Sequence, residues 1–221
     1  MSEKRALKLK YKAVIFDLDG VIVCTDECHY KGWKKLPDEE NIYFDREINQ
    51  RLRGVSRMES LEIVLERAKK SYTAEEKAEM AERKNNYYRE YIKGLTPADV
   101  LPGVMDFCEF LRANGVKLAI GSSSKNTPAI LKGIGLDTYF DAVADGNQIT
   151  KSKPDPEVFL LAAKLVGIDP ADCMVVEDAE AGVEAALAGG MDVLGLGNAV
   201  ENTNATYKAS GLNTFDVAKL K

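Results

Sequence analysis

The sequence is poor in the residues that mark several large classes of protein. It holds one histidine, His29, and four cysteines, at positions 24, 28, 108 and 173, with no CxxC pair among them. Cys28 and His29 are adjacent but have no further ligand nearby, which is poor support for a zinc site. The thiols read as reduced ones, so the expected location is cytoplasmic. No apolar run approaches the roughly 18 residues of a membrane-spanning helix. Met1–Lys10 has no apolar stretch of the kind a secretory leader carries, so neither a membrane nor an export route is expected. Basic residues are in the minority, 30 Lys+Arg against 35 Asp+Glu for a net charge of -5. That balance argues against a broad basic surface, and so against nucleic acid as the partner. Internal repeats and low-complexity segments are also missing.

What is present is enough for a substantial core, with 45% hydrophobic residues in a chain of 221. The charges are unevenly placed. Residues 26–95 hold 15 acidic and 15 basic side chains, but only 3 of the 17 glycines and 8 of the 17 aromatics. Few glycines, many charges and spaced apolar positions describe a compact helical unit. Met58, Leu61, Leu65 and Ala68 recur at helical spacing, and Thr73 with Glu76 forms a capping-box start to a long helix that Gly94 stops.

Elsewhere short apolar runs alternate with amphipathic segments. The runs are Ala13–Phe16, Val116–Ile120, Ala142–Ala144, Met174–Val176 and Val193–Leu196. Helices are expected at Val104–Ala113, Pro156–Val166 and Gly182–Ala188, followed by Gly115, Gly167 and Gly189 as left-handed caps. Alternation of this kind predicts an α/β fold with a parallel sheet and right-handed crossovers. The expected organisation is a Rossmann-like core of residues 1–25 and 96–221, interrupted by an α-helical unit at 26–95.

In such a sheet, chemistry sits beyond the carboxyl ends of the strands. The residues there are Asp17-Leu18-Asp19-Gly20, then Gly121-Ser122-Ser123-Ser124-Lys125-Asn126, then Glu177-Asp178, with Lys151-Ser152-Lys153-Pro154 between the last two. Asp17 and Asp19 share one side of an extended backbone, and paired carboxylates call for a cation or a proton between them. With Asp178 they make a hard oxygen set that suits Mg²⁺, while Lys153 and Ser122 offer charge and hydrogen bonds to a phosphoryl group. A calcium loop does not fit, because position 21 is Val and no Glu follows at the twelfth place.

FDLDGVI at 16–22, Ser122, Lys153 and Glu177-Asp178, in that order, resemble the four motifs of the haloacid dehalogenase superfamily of aspartate-nucleophile phosphotransferases. The likeness covers nearly the whole chain, and the helical unit is similar to that superfamily's smaller cap. Thr25, His29, Gly54-Val55-Ser56-Arg57, Arg83-Lys84-Asn85, Pro97-Ala98-Asp99-Val100 and Ser122–Asn126 look most like its sugar phosphomutases. That resemblance implies interconversion of β-glucose 1-phosphate and glucose 6-phosphate through glucose 1,6-bisphosphate, with a sugar-phosphate phosphatase as the alternative.

The resemblance also implies roles. Asp17 is the nucleophile and Asp19 the general acid/base. Mg²⁺ is held by Asp17, Asp178 and the backbone carbonyl of Asp19, with Glu177 near its water shell. Ser122 and Lys153 anchor the transferring phosphoryl. Arg57 with Ser124, Lys125 and Asn126 holds the phosphate that does not react. Thr25 near the hinge, His29 and Lys84 assist, and Gly54 and Trp33 join the substrate-binding set, although Trp33 by default packs in the cap interior. Cys24 stands where the superfamily commonly has an acidic residue, which implies altered hinge hydrogen bonding. The expected partner is a small sugar phosphate, and the expected state a monomer.

Overall fold

The computed structural model describes residues 8–52, 56–197 and 203–221; Gly54 and the tail to residue 7 lie outside these. In chain order the elements are β1 Ala13–Phe16, α1 Asp26–Glu39, α2 Arg46–Gln50, α3 Arg57–Leu65, α4 Ala74–Ile92 and α5 Val104–Ala113. There follow β2 Lys117–Gly121, α6 Thr127–Gly133, β3 Ala142–Ala144, α7 Glu157–Val166, β4 Cys173–Glu177, α8 Glu180–Ala188, β5 Asp192–Leu196 and β6 Tyr207–Ala209. The six strands form one parallel sheet in the order β3-β2-β1-β4-β5-β6.

Strand periodicity explains how one sheet carries two apolar layers. Side chains alternate across a strand. Val14, Phe16, Leu118, Ile120, Met174, Val176, Leu194 and Leu196 enter the layer shared with Phe107, Leu111, Ile130 and Leu131 from α5 and α6. Ala13, Ile15, Ala119, Cys173, Val175 and Val193 enter the opposite layer with Val158, Phe159, Ala162, Val183 and Ala185 from α7 and α8. Burial on both faces is why these strands read as continuous apolar runs.

Helices α1 to α4 enclose a third apolar cluster, with Trp33, Leu36, Phe44, Leu61, Val64 and Met80 at its centre. The capping box at Thr73 and Glu76 starts α4 as the sequence predicts. Toward its other end α4 leaves this cluster, and Tyr88 and Ile92 pack into the layer of α5 and α6 instead.

Three local expectations are corrected and one strand is added. Strand β6 carries no apolar run, because a three-residue edge strand with two partly buried positions and one exposed needs none. Met58 is 44% exposed and points away from the cluster that Leu61 enters. Ala68 lies beyond α3, which ends at Leu65. Gly189 keeps a right-handed conformation, and the positive φ after α8 falls on Gly190, while Gly115 and Gly167 are left-handed as expected.

Candidate active site

The strand order reverses between β1 and β4, the place where open α/β sheets bind ligands. Phe16 pairs with Val176, so the residues just beyond β1 and β4 leave the sheet side by side. Asp17 N–H donates to the Val176 carbonyl at 2.9 Å. Carboxylate oxygens of Asp17, Glu177 and Asp178 lie within 4.8 Å of one another. Lys153 reaches across from the segment before α7, donating from Nζ to Asp17 Oδ1 at 2.5 Å and to Glu177 Oε2 at 2.8 Å.

One ammonium facing three carboxylates leaves negative charge uncompensated. Burial, with Glu177 and Asp19 nearby, pushes the Asp17 carboxyl up to about 7 against the pull of Lys153. Burial, Glu177 and Asp17 push Asp178 up to about 8. Glu177 is pinned further, its Oε1 accepting the backbone N–H groups of Asp178 and Ala179. Two glycines make the cluster possible. Gly20 has φ +83°, and a Cβ there would meet Asp178 Oδ2 at 2.0 Å; a Cβ at Gly182 would meet Glu177 Oε2 at the same distance. An all-oxygen donor set that holds protons more tightly than ordinary carboxyls, because its negative charge is uncompensated, fits a small divalent cation such as Mg²⁺.

The Asp19 carboxylate belongs to a different arrangement. Thr25 donates its N–H to Oδ1 at 2.8 Å and its hydroxyl to Oδ2 at 2.6 Å. His29, one turn into α1, sets Nε2 at 3.4 Å from Oδ2. Lys84 on α4 donates from Nζ to His29 Nδ1 at 3.1 Å. An ammonium has no acceptor to offer, so that contact assigns the proton of neutral His29 to Nε2, facing Asp19.

Burial raises the Asp19 carboxyl, but hydrogen bonds from His29 and Thr25 outweigh it and hold the group below the usual range. Burial and Lys84 push His29 down against the pull of Asp19. Burial, with Arg57 adding to it, pushes Lys84 down to about 7. Tyr88 closes the group, its ring 4.2 Å from that of His29 and its hydroxyl 3.1 Å from Thr25 Oγ1.

Beyond β2, the chain folds through two successive hydroxyl turns. Ser122 Oγ accepts the Ser124 N–H at 3.2 Å, and Ser124 Oγ accepts the Asn126 N–H at 3.2 Å. Asn126 is buried and joined to α4: its Nδ2 donates to Asn85 Oδ1 at 3.0 Å, and its Oδ1 accepts from Arg89 Nε at 3.1 Å. Lys125 is exposed. Arg57, first residue of α3, is half-buried with Nη1 3.7 Å from Glu82.

The structure therefore gathers Asp17, Lys153, Glu177 and Asp178 in one group, and Asp19, Thr25, His29 and Lys84 in a second beside it. Trp33 is 3% exposed inside the α1–α4 cluster, and its link to the site is the Lys84 ammonium 4.6 Å over its ring. Sequence reading overlooks Tyr88, Glu82 and Arg89. The signal for them is positional: Asn85 and Arg89 stand one turn apart on α4, as do Lys84 and Tyr88, and both Lys84 and Asn85 are buried although polar.

The chain is similar to known proteins over most of its length. The haloacid dehalogenase-like hydrolase family model matches residues 11–190. A β-phosphoglucomutase from Bacillus subtilis is 45% identical over 188 residues, covering 84% of this chain and 83% of that protein. A fructose-1-phosphate phosphatase from Escherichia coli is 30% identical over 84% of this chain and 96% of its own length. The crystal structure of a β-phosphoglucomutase from Clostridium difficile superposes with a TM-score of 0.87 at 38% identity, covering 95% of each chain.

Proposed function

This chain belongs to the haloacid dehalogenase-like hydrolase family, and from that premise we propose that it is a phosphomutase. The reaction is interconversion of β-glucose 1-phosphate and glucose 6-phosphate, with glucose 1,6-bisphosphate as intermediate and activator. One observation supports this choice within the family. Arg57 and the Ser124–Asn126 turn are linked through α4, where Glu82 faces Arg57 and Arg89 binds Asn126. A second phosphate site, which hydrolysis of a single phosphate would not need, could be built there.

Asp17 is the nucleophile, and its carboxylate accepts the phosphoryl group to form an aspartyl phosphate. Lys153, already on Asp17, stays with the transferring oxygens, and the Ser122 hydroxyl donates to them. Asp17 and Asp178, with the Asp19 main-chain carbonyl and Glu177 behind them, would hold Mg²⁺, which when bound neutralises charge on the transferring oxygens. Asp19 is held as a carboxylate by Thr25 and His29. In that form it takes the proton of the sugar hydroxyl that attacks the aspartyl phosphate, and it returns a proton to the departing oxygen in the reverse step. Arg57, Ser124, Lys125 and Asn126 hold the other phosphate in either sugar orientation.

Residues 26–95 act in this scheme as a cap over a core of 1–25 and 96–221. His29 reaches Asp19 from the cap with Lys84 behind it on Nδ1, so the acid/base group is complete only when cap and core meet. The same contact keeps water from the aspartyl phosphate.

A sugar-phosphate phosphatase is the second reading, favoured by the 30% identical fructose-1-phosphate phosphatase. One assay separates the two. The protein is given β-glucose 1-phosphate, Mg²⁺ and a trace of glucose 1,6-bisphosphate, and glucose 6-phosphate and free phosphate are followed together. Glucose 6-phosphate is expected; glucose and phosphate alone would replace the mutase with the phosphatase. Asp17→Ala is expected to lower either activity by about a thousandfold or more.

A further inference from the structure

Glu82, Arg57 and Arg89 form a charged group that the mechanism above does not use in full. Glu82 lies on α4 with Oε2 at 3.7 Å from Arg57 Nη1 and Oε1 at 3.6 Å from Arg89 Nη1. Each oxygen thus faces a different guanidinium, and both distances exceed those of a tight hydrogen bond. Arg89 does not stop at Glu82. Its Nε donates to the buried Asn126, whose amide also binds Asn85. One arginine therefore spans from α4 to the core turn that carries Ser124 and Lys125.

We infer that Arg89 is a second guanidinium of the site for the non-reacting phosphate, and that Glu82 is a built-in occupant which that phosphate displaces. The inference rests on the assignment of Arg57 and the Ser124–Asn126 turn to that phosphate. The geometry supports both halves. A carboxylate set loosely between two guanidinium groups is the local anion that keeps them from repelling each other when the site holds no phosphate. A phosphate offers three acceptor oxygens and more charge than a carboxylate, so it outcompetes Glu82 for donors that Glu82 does not hold tightly. Glu82 is 56% exposed at its side chain, so it can swing to solvent without burying a charge.

A displaceable occupant has a use in a mutase. The bisphosphate has to leave one orientation and bind in the other, and a resident carboxylate helps release the phosphate held at this position. Arg89 contributes as well by tying α4 to Asn126, so that filling the site and apposing α4 to the core are one event.

The test compares two substrates. β-Glucose 1-phosphate has to place its phosphate in this site when it attacks the aspartyl phosphate, whereas acetyl phosphate, as phosphoryl donor to Asp17, has no second phosphate to place. KM is measured for both with Glu82→Gln, Arg89→Gln and Arg57→Ala, and each variant's ratio of the two KM values is compared with that of the unsubstituted protein. For Glu82→Gln the ratio for β-glucose 1-phosphate over acetyl phosphate is expected to fall about threefold, since an internal competitor is removed. For Arg89→Gln it is expected to rise about tenfold, the scale of a lost charged hydrogen-bond donor.

If Arg57→Ala raises the ratio while Glu82→Gln and Arg89→Gln leave it in place, the inference is wrong and the site stands without them. A ratio unmoved by Arg57→Ala removes the site itself, and with it the reading on which the inference rests. Glu82 and Arg89 are half exposed, and turnover of acetyl phosphate reports in the same experiment that each variant is folded.

Discussion

Asp17 and Asp19 have the same side chain and stand two residues apart, yet their surroundings give them opposite tendencies. Asp17 sits among acids and is pushed up to about 7, whereas Asp19 receives hydrogen bonds from Thr25 and His29 and is held below the usual range. In the usual division the group pushed up is the acid. Here a cation shared by Asp17 and Asp178 would bring Asp17 back to the carboxylate that the proposed nucleophilic attack requires. The raised values have a consequence for stability. A carboxyl whose pKa is raised by folding favours the folded state at low pH and loses that contribution as pH rises through its folded value. With the cation removed by EDTA, the melting temperature is therefore expected to fall as pH is raised from 5 to 7, toward the values near 7 and 8 of Asp17 and Asp178 and below the range where Lys84, pushed down to about 7, adds stability of the opposite sign. The slope is bounded by about 1.4 kcal/mol per pH unit for each group. Added Mg²⁺ is expected to flatten that dependence, and thermal melts across the range check it.

Lys84 allows a second measurement at the residue scale. Its charge helps to push His29 down, so Lys84→Met is expected to raise the His29 pKa toward its ordinary value. His29 is the sole histidine, so an NMR titration of its ring protons reads this without assignment. A pKa that stays put would show that burial alone sets it.

At the scale of elements, the site depends on how closely α8 and the loop after β1 approach two carboxylates. Gly182 lies in the first turns of α8 against Glu177, whose other oxygen also accepts backbone N–H groups at that helix start. Gly182→Ala forces either the helix or Glu177 to move, and Glu177 carries Lys153 with it. The expected cost is about 2 kcal/mol, the scale of overpacking, read by urea denaturation together with a weaker Mg²⁺ affinity. Legibility at this scale follows burial. Strands β1, β2, β4 and β5 are legible as apolar runs because each is buried on both faces, whereas β6 is a short edge that leaves no such pattern. The capping box opens α4 where the sequence predicts, since its hydrogen bonds are local. Met58 misleads because helical spacing identifies a face of α3 without saying which neighbour covers it.

For the molecule as a whole, α4 is the decisive element. Met80 and Ala81 belong to the cluster of α1–α4, while Tyr88 and Ile92 belong to the layer of α5 and α6. One helix therefore carries packing of the α1–α4 cluster, the Lys84–His29 contact and the Arg89–Asn126 contact at once. Ile92→Ala is expected to cost about 2–4 kcal/mol, as buried truncations do. If the cap excludes water by this apposition, the same variant should also release more free phosphate per glucose 6-phosphate formed. Thermal melts and the paired product assay measure the two effects, and an unchanged product ratio would separate cap seating from water exclusion.

Legible in the chain alone are the α/β core, the charged helical segment between β1 and α5, and the acids, hydroxyls and lysine at the strand ends. Those features follow from periodicity of two or 3.6 residues and from local capping, which are properties of neighbouring residues in the chain. Three-dimensional packing sets the rest: Asp19 faces Thr25 and His29 rather than the acids beside it, Trp33 meets Lys84 from inside the α1–α4 cluster, and Arg89 reaches Asn126. Those contacts join residues from 6 to 51 positions apart, the longest being Trp33 to Lys84 (84 − 33 = 51). They depend on how α1 and α4 pack on each other and how α4 meets α6, and no spacing within a single element encodes that packing.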